Sequence, residues 1–359
     1  MQYRTLGRTD IKVSALCLGS MTWSTQNTTA EGHAQIDRAL DAGINFIDTA
    51  EMYPVNPIGA ETCGNTEKVI GEWFAKTGRR SDIVLASKIT GDNPGQFVRD
   101  GEGINADSLI RACEGSLKRL QTDVIDVYQL HWPERGSYHF RQNWRYNPAS
   151  PDKAATLAHM EAVLEAADKL IRDGKIRAMG LSNDSAWGTA QWLRLSEEKN
   201  LPRMHTIQNE YSLMCRLFDT DLAELCAYED LGLLAYSPLA TGLLTGKYLD
   251  GACPAGSRKS LNADLNKRCT PRTDAAVQAY VDIAHTHGLT PVQLSLAWAR
   301  SRPFMASVIF GCTTQAQLED ALSSADISLS DEIIEQIELA HKSPSDAILT
   351  LLLPVPNPS

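Results

Sequence analysis

Ile83-Val84-Leu85-Ala86-Ser87-Lys88, then Asp107 to Leu120, then Val124-Ile125-Asp126-Val127-Tyr128-Gln129-Leu130-His131: this stretch decides the fold. The two outer runs are short, rich in Val, Ile and Leu, and each ends on an ionisable side chain. Between them Leu109, Ala112, Cys113, Ser116, Leu117 and Leu120 recur at helical spacing and form one apolar face. A strand, an amphipathic helix and a second strand predict a βαβ crossover and a parallel pair.

The same alternation continues outward in both directions. Further strands are predicted at Ala15–Gly19, Asn45–Asp48, Ile176–Ser182, Thr206–Asn209, Leu233–Ser237 and Ser307–Gly311, which makes eight. Thr29 to Ala42 places Ile36, Ala39 and Leu40 on one face and stops at Gly43, and Asp152 to Asp173 stops at Gly174. Eight strands with eight crossovers fit a closed (β/α)8 TIM barrel. An open doubly wound sheet usually has fewer strands, and no GxGxxG follows the first one, which counts against a dinucleotide-binding Rossmann domain. Tyr3-Arg4-Thr5-Leu6, a turn through Gly7–Asp10 and Ile11-Lys12-Val13 predict an N-terminal β-hairpin.

Two segments break the rhythm. Trp132–Pro151 is long and aromatic, and Pro238–Pro271 is rich in Gly, Lys and Arg. In a barrel both fall on the C-terminal face, where binding and catalysis sit. Residues 1–359 are expected to form a single domain. Its C-terminal tail, about 342–359, carries Ile348-Leu349-Thr350-Leu351-Leu352-Leu353 and then three prolines, and is expected to cover or extend from the barrel.

The net charge of −10 argues against nucleic acid or an anionic membrane as a general partner, while leaving room for a small basic pocket. No run of roughly 18 apolar residues exists to span a bilayer, and the first residues lack the layout of a secretory leader. The eight cysteines show no metal-binding spacing, so reduced, packed thiols in a cytoplasmic protein without a metal are expected.

What terminates each strand carries the functional signal. The runs end in Asp48, Lys88, His131, Ser182-Asn183, Gln208-Asn209, Tyr236-Ser237 and Gly311-Cys312-Thr313. Charged groups directly after buried apolar runs need partners. The simplest solution is that Asp48, Lys88 and His131 pair with one another. Tyr53 lies five residues past Asp48. A phenol with an ordinary pKa near 10 is a reluctant proton donor at neutral pH, and a nearby Lys88 ammonium is expected to lower that value. His131 can donate a hydrogen bond to a substrate oxygen. The set describes an acid poised over an oxygen in a cleft, with no evident serine or cysteine nucleophile.

Phe46-Ile47-Asp48-Thr49-Ala50-Glu51-Met52-Tyr53, Ala86-Ser87-Lys88 and Gln129-Leu130-His131-Trp132-Pro133 resemble the catalytic tetrad motifs of the aldo-keto reductases. Gly180-Leu181-Ser182-Asn183, Gln208-Asn209 and Ala235-Tyr236-Ser237-Pro238-Leu239 resemble that family's cofactor-site motifs. The likeness runs from about Tyr3 to about His341 and is nearest to the Tas-like branch, which also includes β subunits of voltage-gated potassium channels. It implies NADP(H)-dependent reduction of a small carbonyl compound, with Tyr53 as proton donor, Asp48 and Lys88 tuning it and His131 orienting the substrate. It also implies that Tyr236 stacks on the nicotinamide and that Ser182, Asn183 and Gln208 hold its carboxamide. By the same likeness Ser237, Pro238, Leu239 and Gly242 would belong to a belt over the pyrophosphate. Lys247 and Arg258 match positions that meet the 2′-phosphate, and Gly311, Thr313 and Gln317 match positions beside that phosphate and the adenosine. Where relatives often carry Glu-Asn near the adenine, this chain has Asp320-Ala321.

Each residue also has a plainer reading. Asp48 could be a cap, Lys88 a structural ion pair, Tyr236 core, and Lys247 and Arg258 solvated loop charges. Trp23, Trp132 and Trp144 either line the substrate pocket or fill space. Two rival functions stand beside the reductase. One is a cofactor-binding regulatory or partner protein with little turnover; the other is a Schiff-base lyase acting through Lys88. The substrate's identity and the oligomeric state stay open.

Overall fold

The computed structural model describes residues 1–143 and 145–342, so Trp144 and the apolar tail lie outside the described residues. The chain begins with the hairpin β1 (Tyr3–Thr5) and β2 (Lys12–Ser14), with Tyr3 opposite Ser14. Eight parallel strands follow: β3 (Leu16–Gly19), β4 (Phe46–Asp48), β5 (Val84–Ile89), β6 (Ile125–Leu130), β7 (Ile176–Ser182), β8 (Met204–Glu210), β9 (Gly232–Tyr236) and β10 (Met305–Phe310). Each bonds to the next and β10 bonds back to β3, closing the barrel. All eight lie within two residues of the runs predicted from sequence.

The crossovers carry α1 (Thr29–Asp41), α2 (Asn65–Thr77), α3 (Ala106–Leu120), α4 (Lys153–Arg172), α5 (Ala186–Lys199) and α6 (Asp221–Glu229). Between β9 and β10 run α7 (Arg258–Leu261), α8 (Thr273–Thr286) and α9 (Pro291–Ser301), and α10 (Gln315–Ser323) and α11 (Asp331–Lys342) come last. Local chemistry sets the ends. Thr28 with Glu31, Asn105 with Ser108 and Thr290 with Gln293 form reciprocal caps that satisfy otherwise orphaned N–H groups at the starts of α1, α3 and α9.

Two apolar layers follow from the period-two alternation of strand side chains. Leu16, Leu18, Ile47 and Leu85 face the helices. Cys17, Phe46, Ala86, Val127, Ala178 and Leu234 face the barrel axis and pack with Leu6, Ile11 and Val13, so the hairpin plugs the amino-terminal end. Stepping by two from the axial residues reaches Asp48, Lys88, Gln129 and then His131, Ser182 and Tyr236, which puts these polar side chains inside the carboxyl-terminal mouth. Space there is tight: a Cβ on Gly180 would sit 2.3 Å from Thr206 Oγ1 and 3.1 Å from Gln129 Cγ.

Candidate active site

Lys88 is wholly buried, and its ammonium donates to Asp48 Oδ1 at 2.6 Å and to the Thr49 carbonyl at 2.8 Å. It lies 4.9 Å from the centroid of the Tyr53 ring. The other Asp48 oxygen accepts from Gln208 Nε2 at 2.8 Å and Gln129 Nε2 at 3.2 Å. The buried carboxylate is therefore satisfied on both oxygens, the condition under which a charge tolerates such a place.

Burial treats the neighbouring groups differently. It pulls the Lys88 ammonium down, but Asp48 and then Tyr53 more than offset it, so the net shift is upward and Lys88 stays charged. For Tyr53 the desolvation of a phenolate is the largest influence and outweighs the opposing pull of Lys88, so its pKa lies above the ordinary 10. The expectation that Lys88 brings Tyr53 below its usual value is thus overturned in net sign. Tyr53 holds its proton at neutral pH. His131 goes the other way: burial, and then the charge of Lys88, depress it well below 6.5, so the ring is neutral. It meets Tyr53 edge-on with centroids 5.8 Å apart, and its Nδ1 is buried without a partner among the described residues.

A cavity of about 1060 Å³ opens over this group and is lined by Asp48, Tyr53 and His131 together with every residue assigned by resemblance to the cofactor. That volume lies just above the usual range for a single small-molecule pocket. Along its floor Tyr236 is partly exposed, and its hydroxyl donates to Asn183 Oδ1 at 2.7 Å. Asn183 Nδ2 reaches the His131 carbonyl at 2.9 Å, and Ser182 Oγ reaches the Gln208 carbonyl at 2.8 Å. Gln208 spends its amide hydrogens on Asp48 and Gln129, leaving Oε1 without a partner among the described residues.

At the far end, Thr313 donates from its backbone N–H to Gln317 Oε1 at 2.9 Å, and Thr314 caps α10. Ser237, Ala240 and Thr241 hold left-handed φ of 53°, 47° and 60°, rare for residues other than glycine and found where a segment is held to a task. Gly242 follows at φ 94°, and a Cβ there would sit 3.1 Å from Lys247 Cε. Arg258 is half-buried on the cavity wall. Its Nε has no partner among the described residues, its Nη2 reaches only Met21 Sδ at 4.0 Å, and burial, then Arg268, pull its pKa down to about 10. A guanidinium without a carboxylate among the described residues suits an anion in the cavity. Asp320 lines the same cavity and accepts from Thr290 Oγ1 at 2.9 Å.

The tryptophans divide. Trp23 is fully buried, donates to Gln35 Oε1 at 2.8 Å and does not line the cavity, which corrects its assignment to the substrate pocket: it fills space between α1 and α2. Trp132 does line the cavity, stacked at a tilt 4.9 Å from His131. Trp144 lies outside the described residues. Three contributors had no role assigned from sequence. Gln129 braces Asp48. Glu51, buried, takes the Thr90 N–H at 2.5 Å and pairs with Arg99, fixing the loop that carries Tyr53. Glu210 joins Arg141 and Arg268. The parity of Gln129 with Lys88 and His131 could have exposed the first; the others depend on long-range loop contacts.

A model of the aldo/keto reductase family matches residues 15–342. The chain belongs to the aldo/keto reductase family. Over 347 residues this aldo/keto reductase is 43% identical to Protein tas of Escherichia coli, covering 95% of this chain and 98% of the relative. It is 33% identical over 340 residues to the uncharacterized oxidoreductase YrpG of Bacillus subtilis, covering 94% and 95%. It is 30% identical over 351 residues to a probable voltage-gated potassium channel subunit beta of Arabidopsis thaliana, covering 96% and 97%. Among the described residues no helix is long and apolar enough to cross a membrane, and no group of three or more His, Cys, Asp or Glu could hold a metal.

Proposed function

We propose that this chain reduces an aldehyde or ketone to the alcohol with NADPH, Tyr53 giving the proton. The observation that carries this is the Asp48–Lys88–Tyr53–His131 group: a protonated Tyr53 and a neutral His131 line one cavity, and a charged Lys88 is buried behind them on Asp48. The residues around that cavity also fit the cofactor. Arg258 has a buried nitrogen in want of a partner, Gln208 has a free amide oxygen, and the α10 N-terminus favours a phosphate. Lys247 and Arg258 are the residues that would meet a 2′-phosphate, Tyr236 would underlie the nicotinamide, and Ser182, Asn183 and Gln208 would hold its carboxamide. When bound, the nicotinamide supplies the hydride.

The chain's own residues do the rest. His131, neutral, orients the carbonyl oxygen by hydrogen bonding. Tyr53 passes its hydroxyl proton to that oxygen as negative charge develops there. The positive charge of Lys88 steadies the phenolate left behind, and Asp48 keeps Lys88 charged and aimed. Phe140 and Trp132 line the mouth beside His131, and a cytoplasmic setting is the expected one.

Likeness to a protein named as a channel subunit β keeps a second reading in view, that of a cofactor-binding partner protein with little turnover. One experiment separates them. Tyr53→Phe is expected to leave NADPH affinity within about twofold and to lower turnover of a generic aldehyde by on the order of 10²–10⁴-fold. Equal turnover in the variant would end the proton-donor role, and a wild-type protein that binds NADPH but reduces no carbonyl would favour the partner reading.

A further inference from the structure

Glu210 is the last residue of β8, and its side chain is 9% exposed. It accepts from Arg141 Nη2 at 2.9 Å and Nη1 at 3.3 Å, and from Arg268 Nε at 3.0 Å and Nη2 at 2.9 Å. Two guanidiniums against one carboxylate leave an excess positive charge, in a chain whose net charge is −10. Both arginines line the main cavity. They come from different loops, Arg141 from the segment after β6 and Arg268 from the segment after β9.

Each is delivered by unusual backbone. Phe140 and Arg141 hold φ of 55° and 61°, and Leu265, Asn266 and Lys267 hold 49°, 59° and 63°. Consecutive left-handed residues other than glycine persist only where surrounding contacts over-determine them, and they cluster at ligand clamps. A tie between two surface loops could have been made at no such cost by exposed side chains. Here the tie faces inward.

An aromatic wall connects this charge to the reacting group. Tyr53 meets His131 at 5.8 Å, His131 meets Trp132 at 4.9 Å, and Trp132 meets Phe140 edge-on at 5.9 Å, with Arg141 next in the chain. We propose that the substrate is an anionic carbonyl compound: its carbonyl sits at Tyr53 and His131, its apolar body lies along Trp132 and Phe140, and its carboxylate or similar group is bound by Arg141 and Arg268. Glu210 then holds the two guanidiniums apart and in place, and its charge tempers their affinity. The proposal rests on the reductase reading for the carbonyl end alone.

The test compares 4-carboxybenzaldehyde with its methyl ester, which removes the charge and adds one methyl group, and with the near-isosteric, uncharged 4-formylbenzamide. Wild-type kcat/KM is expected to favour the acid by on the order of tenfold or more at low salt, the size of one charge-assisted bidentate contact. Arg141→Met should bring the ratio near one, and Glu210→Gln should raise it, whereas a purely structural tie would lower activity on all three substrates alike in either variant. Calorimetric titration of the purified protein with benzoate and benzamide reads the anion site without turnover, with benzoate expected to bind tighter and to lose that advantage in Arg141→Met. Acid, ester and amide reduced alike, with benzoate and benzamide bound alike, would overturn the anion site and leave the reductase standing. Arg141-dependent benzoate binding in a protein that reduces no aldehyde would support the anion site and overturn the reductase.

Discussion

Removing the Lys88 ammonium is the sharpest perturbation of the tetrad. Lys88→Met keeps the unbranched apolar stem, is one atom shorter, and deletes two hydrogen bonds, to Asp48 Oδ1 at 2.6 Å and to the Thr49 carbonyl at 2.8 Å, in a place with no solvent access. Breaking one side of a buried ion pair typically costs about 3–5 kcal/mol, because the remaining charge is left uncompensated. Asp48 still receives amide hydrogens from Gln129 and Gln208, so the lower end, about 3 kcal/mol, is expected. Asp48→Asn combined with Lys88→Met removes both charges and should be more stable than Lys88→Met alone, a coupling of about 1–3 kcal/mol in a double-mutant cycle. Urea unfolding followed by tryptophan fluorescence measures it, provided the slope is unchanged. The same variant removes the charge that opposes the rise in Tyr53's pKa, so turnover should fall as well. A Lys88→Met protein within about 0.5 kcal/mol of wild type, or a strictly additive double variant, would refute the claim that this pair is mutually dependent.

Other expectations follow from single observations. Gly180→Ala places a Cβ 2.3 Å from Thr206 Oγ1 inside the barrel and should lower stability by about 1–3 kcal/mol in the same urea assay. His131 is depressed well below 6.5, so the folded protein binds fewer protons there than the unfolded chain. Its contribution to stability is therefore present above about pH 6.5 and lost as pH falls, and the rate of carbonyl reduction should show no inflection near 6.5. Lys88 has the opposite sign: raised in the fold, its contribution is full below about pH 10.5 and lost as pH rises through the folded value. Lys247→Ala with Arg258→Ala should weaken NADPH binding more than NADH binding in a fluorescence titration, and equal weakening would show that neither residue reads the 2′-phosphate.

Much of the fold could be read from the chain because its signals are local. The helical stripe Leu109–Leu120, the stops at Gly43 and Gly174 and the short runs between them each depend on a few neighbouring residues, and the strands came out within two residues. The position of Asp48, Lys88 and His131 at the mouth follows from the same alternation that buries Phe46, Ala86 and Val127. What could not be read depends on contacts far apart in the chain. Trp23 looks like a pocket aromatic until Gln35, Gly32 and Thr66 are seen around it. Glu210 meets Arg141 and Arg268 across 69 and 58 residues, through left-handed turns that no composition signals.

The net direction of the Tyr53 shift was also hidden, and it bears most on mechanism. From sequence only the partner is visible, and a neighbouring ammonium argues for a lowered pKa. Burial is a tertiary quantity, and here it wins. The same burial acts on Lys88, His131 and Tyr53 and sorts them by what each has for a partner. Lys88 has Asp48 and remains charged. His131 has burial and then the charge of Lys88 against its protonated form, so it is neutral. Tyr53 has a cation that offsets desolvation only in part, so it keeps its proton while its phenolate, once formed, is less costly than in an apolar pocket. Environments that push neighbouring groups apart in this way are how one pocket assigns acid and orienting roles. Under the proposed mechanism a raised Tyr53 is therefore an asset: a proton donor must first be protonated, and Lys88 needs only to lower the barrier to letting go.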